Sequence, residues 1–95
     1  MLYLEVNWIN PTEKEPVQLL SEMNQHRAEA RKVEVFADGT MGFADRSRTS
    51  HGTRLSTTPV YSMAAINACP EFACKPINQD KFERLWRRAK EAATF

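Results

Sequence analysis

The sequence predicts an α+β domain: a four-stranded antiparallel sheet packed by a C-terminal helix and a short helix before it. Three observations carry this. Apolar residues alternate with period two near the N-terminus. Two β-rich runs flank Asp38-Gly39. An apolar stripe with helical spacing fills the last 18 residues. Strands precede helices instead of alternating with them, which separates α+β from α/β. The whole chain, 1–95, is read as one domain, since 95 residues and 42% hydrophobic content supply one modest core.

The elements follow in order. Leu2, Leu4, Val6 and Trp8 alternate with Tyr3, Glu5 and Asn7, the pattern of a half-buried strand. The polar stretch Asn10–Pro16 is bracketed by prolines and reads as a connection. A second strand runs over Val17–Met23, and Asn24–Ala28 turns the chain. Arg31–Ala37 and Thr40–Asp45 then form a hairpin about Asp38-Gly39. Asp-Gly favours a two-residue turn in which both residues take positive φ. That register pairs Phe36 with Met41, Glu34 with Phe43 and Lys32 with Asp45.

In this register the hairpin is apolar on both faces. Val33, Val35, Ala37 and Ala44 occupy one, and Phe36, Met41 and Phe43 the other. Small antiparallel sheets normally wet one face. Either the chain wraps over the second face or a partner covers it, so Phe36, Met41 and Phe43, with Trp8 at the end of the first strand, are the candidate partner interface. A homodimer is a natural form of that interface.

Residues 47–58 are rich in Ser, Thr and Arg and form a long loop. Ser62 caps a short helix over 63–67, which Pro70 ends. Glu71-Phe72-Ala73 leads on to a second proline, Pro76, and no element is assigned there. Asn78 caps the C-terminal helix, where Phe82, Leu85, Trp86 and Ala89 lie on one stripe. Asp80 with Arg84, and Glu83 with Arg87, are acid-before-base pairs four residues apart.

Net charge is +1, which gives no global attraction to nucleic acid or acidic membranes. Its distribution is uneven: residues 1–23 sum to −3, whereas Arg46, Arg48 and Arg54 lie in a stretch without an acid. With Arg88 on the last helix, these arginines are the candidate anion or nucleic-acid contacts, provided that loop and helix share a face. No apolar run reaches the about 20 residues that a membrane helix needs, and the N-terminus lacks a signal-peptide pattern, so a cytoplasmic location is expected.

Catalytic signals are sparse. The three glycines form no phosphate loop, and no Gly-x-Ser-x-Gly elbow occurs. Cys69 and Cys74, with His26 and His51 far apart, lack metal-ligand spacing, so neither metal nor cofactor is expected. The most catalysis-like set is Glu22, His26, Arg27, Glu29 and Arg31. There His26 would be a base and Arg31 an anion clamp of a small metal-free hydrolase.

Trp8, Glu15-Pro16-Val17, Ser21-Glu22 and above all Arg31–Gly39 (RKVEVFADG) resemble a family of small bacterial proteins carrying a domain of unknown function. Gly52-Thr53-x-Leu55, Pro59, Ile66-Asn67, Pro70-Glu71-Phe72 and Phe82-Glu83-x-Leu85-Trp86 extend the resemblance over nearly the whole chain. Asn10 and the cysteine pair depart from the common pattern. The resemblance transfers no catalytic residue. It implies a stand-alone accessory domain of the kind carried by integron cassettes, prophages or toxin-immunity loci. The leading expectation is therefore a non-enzymatic protein that binds a protein partner through a sheet face or the basic loop. Nucleic-acid binding through residues 46–54 is the alternative.

Overall fold

The structure, a computed structural model, describes residues 1–93. Five strands form one antiparallel sheet: β1 (Leu2–Trp8), β2 (Gln18–Met23), β3 (Glu29–Val35), β4 (Met41–Ala44) and β5 (Phe72–Pro76). Helix α1 (Met63–Asn67) precedes β5, and α2 (Gln79–Ala92) follows it. The spatial order is β4-β3-β2-β1-β5. The first four strands are the expected meander. The correction is the fifth strand, which pairs with β1 from Leu4 opposite Pro76 to Trp8 opposite Phe72. Its five residues follow Pro70 and end on Pro76, and an edge strand tolerates proline.

The hairpin register is also corrected. Val35 pairs with Met41, Val33 with Phe43 and Lys32 with Ala44. Among the residues of the turn, only Gly39 has positive φ, at 89°. Its N–H donates to the Phe36 carbonyl (2.9 Å), and the Phe36 N–H donates to Thr40 (2.9 Å). This is a type I turn followed by a left-handed glycine, a three-residue loop instead of a two-residue one. Asp38 caps it by accepting from the Thr40 N–H and hydroxyl (3.0 and 2.7 Å). One residue of slip reverses which side chains share a face. Val33, Val35, Met41 and Phe43 consequently lie together beneath α2.

That face holds the core. Leu20, Val33, Phe43, Phe82, Trp86 and Ala89 are buried, with Tyr3, Val35, Met41, Ile77 and Leu85 packed against them. Phe43 meets Trp86 edge-on, with ring centroids 5.2 Å apart, and Tyr3 tilts against Phe82 at 5.4 Å. The helix is capped as the sequence predicts: Asn78 accepts from the Lys81 N–H (2.8 Å). The helix packs over the Tyr3 and Glu5 side of β1, the less apolar side of that strand. Tyr3 and Glu5 fit there because they are partnered: Glu5 receives Lys81 and Asn7, and Tyr3 donates to Glu22 (2.9 Å).

The second face, with Leu4, Val6, Trp8 and Leu19, is covered by the chain itself. Residues 53–61 and Ile66 of α1 cross it. Trp8 packs edge-on against Phe72 at 5.2 Å. Three polar ties hold the cover. Thr53, 1% exposed, donates to Glu34 (2.6 Å). Glu29 accepts from the Ser56 N–H (2.7 Å), Ser21 (2.6 Å) and Lys32 (3.1 Å). The Arg27 side chain donates to the carbonyls of Val60 (2.8 Å) and Tyr61 (2.6 Å). A bulge makes Glu29 possible: Met23 pairs with Glu29 while Glu22 pairs with Arg31, so the extra residue Ala30 turns Glu29 toward the second face.

Candidate functional site

The two halves of the hairpin motif hold the fold together. Arg31 of β3 reaches α2 and is held between two carboxylates: its Nε and Nη2 donate to Glu22 (2.7 and 2.6 Å), and its Nη1 and Nη2 donate to Glu83 (3.0 and 2.8 Å). The guanidinium carbon lies 4.9 Å from the Phe82 ring centroid and 5.0 Å from that of Trp86. Hydrogen bonding to both carboxylates raises the Arg31 pKa further. The Arg31 hydrogen bonds hold Glu22 and Glu83 below the usual carboxylate range. Burial pushes Glu5 up, and hydrogen bonds from Lys81 and Asn7 outweigh it, so Glu5 is also lowered.

This arrangement bears on the hydrolase expectation. Glu22 and Arg31 do meet, but the Arg31 fork is filled by carboxylates of the chain. His26 lies on the exposed turn between β2 and β3, its ring 3.5 Å from the Gln25 amide. Arg27, with φ of 64°, faces the 60–61 segment, and Glu29 faces the other side of the sheet. Four of the five residues, Glu22, Arg27, Glu29 and Arg31, thus serve as buried or half-buried ties. Among the described residues, no three His, Cys, Asp or Glu side chains gather as a metal site. Cys69 and Cys74 are free thiols, and burial pushes the Cys74 thiol up.

The candidate interface residues separate. Phe43 is buried and Met41 packs on the core beneath α2. Phe36 is half-buried near the hairpin tip, in a second cleft of about 660 Å³ with Glu13, Lys14 and His51. Trp8 lies on the opposite face in a narrow apolar groove of about 270 Å³. The four do not form one surface. The apolar excess that pointed to them is accounted for inside the chain.

The basic residues do gather, in part. Arg48 stands at the tip of the turn that follows β4, where Asp45 accepts from the N–H groups of Ser47 (2.8 Å) and Arg48 (2.7 Å). Burial pushes Asp45 up, but those bonds and the charges of Arg48 and Lys90 bring it below its ordinary value. The turn folds back along β4, so Arg48 faces α2 across a cleft of about 640 Å³. Phe43 and Trp86 line its floor; Arg48, Arg87 and Lys90 stand around it, with Glu83 and Glu91. Lys90 Nζ lies 5.9 Å from the Trp86 ring centroid.

The loop and the helix therefore share a face. Arg46 is exposed on the same turn as Arg48. Arg54 is exposed beside the second sheet face, where its carbonyl accepts from Lys32 (2.9 Å). Arg88 stands on the other flank of α2 with Lys81 and Arg84. Of the helix cations, Arg87 and Lys90 are the two that line the cleft. Their signal was helical phase: 83, 87 and 90 recur four and three apart along one flank of the Trp86 stripe, whereas 81, 84 and 88 line the other.

Residues 2–91, nearly all of the chain, match the family model described as Domain of unknown function (DUF6881). The chain belongs to this family. The match includes the hairpin, both of its tie points and the basic cleft of this DUF6881 domain. Neither a curated protein nor a solved structure matches it. No helix among the described residues is long and apolar enough to cross a membrane.

Proposed function

We propose that this chain is a non-enzymatic accessory domain that binds an acidic surface of a protein partner in the cleft between the 45–50 turn and α2. One observation carries the reading: Arg48 from the loop meets Arg87 and Lys90 from the helix above an aromatic floor of Trp86 and Phe43. Arginine and tryptophan are the residues on which interfaces most often depend, and α2 presents Trp86 and Arg87 here on an ordered backbone. Mixed charge favours a protein over a nucleic acid. Glu83 and Glu91 stand among the cations, and they oppose a uniform polyphosphate while admitting an acidic protein surface that carries a few bases. A toxin neutralised by its immunity protein is one partner of this kind.

The test is affinity capture from the source cells with the wild-type chain and with a double charge reversal, Arg48→Glu with Arg87→Glu. Both side chains are exposed, so the variant keeps its fold. The reading expects a defined protein to be retained by the wild type and lost by the variant. Purification of that protein should then give binding that weakens with salt. Equal retention by both chains would overturn the reading. Recovery of nucleic acid alone, lost in the variant, would replace it with the nucleic-acid alternative.

A further inference from the structure

We propose that the groove beneath residues 56–61, on the second face of the sheet, binds a small uncharged molecule made of one apolar ring and one hydroxyl, the chemistry of a phenol. Its walls are apolar: Val6 and Trp8 of β1, Leu19 of β2, Phe72 of β5 and Ile66 of α1 line it, and each is only half-buried. Across it runs the segment Ser56-Thr57-Thr58-Pro59, which is exposed along its whole length. Polar ties suspend this strap at both ends. The Ser56 N–H donates to Glu29 (2.7 Å), and the Val60 N–H donates to the Arg27 carbonyl (2.9 Å). Between these ties the strap carries only Ser, Thr and Pro side chains, so it spans the groove without filling it.

The volume, about 270 Å³, sets the size of the ligand. An apolar cavity of about 150 Å³ takes one benzene ring, so this groove takes one ring with a substituent. A groove of that size beneath a strap seats a free small molecule, not a folded surface. Wall atoms without close neighbours forfeit dispersion energy, and a flat ring laid against Trp8 and Phe72 restores it.

The polar end of the groove sets the chemistry. Lys32 and Glu29 both line it and pair with each other at 3.1 Å, their side chains 15% and 1% exposed. Lys32 spends a second donor on the Arg54 carbonyl (2.9 Å), which leaves one of its three. Glu29 accepts from Ser21 (2.6 Å), from the Ser56 N–H and from Lys32, which leaves one of about four acceptor positions. A hydroxyl donates one hydrogen bond and accepts another, so it matches a remaining donor beside a remaining acceptor. The pair carries no net charge. A carboxylate placed there would lie against Glu29, and a cation against Lys32, so the complement is an uncharged group.

Proton–nitrogen correlation NMR with p-cresol, toluene and p-toluate as probes tests this. Trp8 in the groove and Trp86 beneath α2 supply two indole N–H signals, one inside the site and one outside it. p-Cresol should shift the Trp8 signal saturably, with half-saturation at about 1 mM, the order expected of an eight-atom ligand, and leave Trp86 in place. Toluene lacks the hydroxyl and p-toluate replaces it by a carboxylate, so each should bind at least about tenfold more weakly. Thr58→Phe, at an exposed position that lines the groove, should abolish the Trp8 shift by filling the space. A Trp8 signal that does not saturate, or that moves together with Trp86, would overturn the proposal, as would a folded Thr58→Phe that keeps the shift. Binding of toluene or p-toluate as tight as that of p-cresol would overturn the ligand class. The probe series needs only the wild type, so it decides the proposal even where Thr58→Phe does not fold.

Discussion

Replacing Arg31 by methionine keeps much of the side chain's volume and removes the cation from between Glu22 and Glu83. The Glu22 carboxylate is left beneath α2 without its main partner, 9% exposed, while Arg31 itself is 21% and Glu83 35% exposed. Breaking a fully buried pair by removing one partner costs about 3–5 kcal/mol. Partial solvent access at Arg31 and Glu83 lowers this, and we expect a loss of about 2–3 kcal/mol at pH 7. With a urea m-value of about 1 kcal/mol/M for a domain of this size, the midpoint falls by about 2–3 M.

The pH dependence distinguishes this cause from lost packing. In the wild type, Glu22 and Glu83 titrate below their ordinary value near 4.5. Their contribution is complete above that value and is lost as pH falls through the folded-state pKa values. Without Arg31, burial and the neighbouring Glu83 carboxylate should raise Glu22 above its unfolded value. Its penalty is then relieved by acid. The gap between wild type and variant should therefore narrow from pH 7 to pH 4. Urea unfolding followed by Trp86 fluorescence measures both. A loss under about 0.5 kcal/mol, the size of an exposed pair, would refute the reasoning, as would a gap unchanged by pH.

Three further outcomes are expected. Gly42→Ala places a methyl group against the buried Thr53 hydroxyl, with the Ser50 carbonyl 3.0 Å away, so it should cost about 1–3 kcal/mol in thermal unfolding and loosen the loop that crosses the second face. Thr53→Val leaves Glu34 without its 2.6 Å donor and should cost about 1–2 kcal/mol, with faster hydrogen exchange at residues 53–56. Asn78→Ala removes the α2 cap and should cost about 1 kcal/mol, read by urea unfolding at neutral pH.

Much of the fold was legible because its elements carry their own periodicity. The strands β1 and β2, both helices and both helix caps follow from alternation, spacing and capping residues. The fifth strand was hidden because Phe72, Ala73, Cys74 and Lys75 show neither clean alternation nor β-branching, and it exists through pairing with β1, a contact almost 70 residues distant in sequence. The hairpin shows how a local signal can mislead. Asp-Gly suits a two-residue turn, but Ala37-Asp38-Gly39 suits a three-residue loop equally well. The wider pattern decides between them. Only the longer loop puts Val33, Val35, Met41 and Phe43 on one face, and an apolar hairpin with one buried face needs no partner to explain it.

The site was partly legible for a related reason. The acid-free arginine stretch was visible, but its meeting with α2 depends on the turn that Asp45 caps and on the return along β4. Arg88 lies outside that cleft, on the flank of α2 with Lys81 and Arg84. The motif residues Arg31, Glu34 and Thr53 proved to be ties between layers. Their chemistry is spent within the fold, and the cleft proposed for recognition lies beside them.

Site-specific photocrosslinking in the source cells addresses that assignment most directly. A photoreactive phenylalanine analogue at Thr49, exposed on the rim of the cleft, is compared with the same group at Phe36 and at Trp8. A defined protein adduct from position 49, absent from positions 36 and 8, is the predicted result. An adduct from position 36 or 8, with none from 49, would contradict it and return the interface to the hairpin tip or to the second face of the sheet.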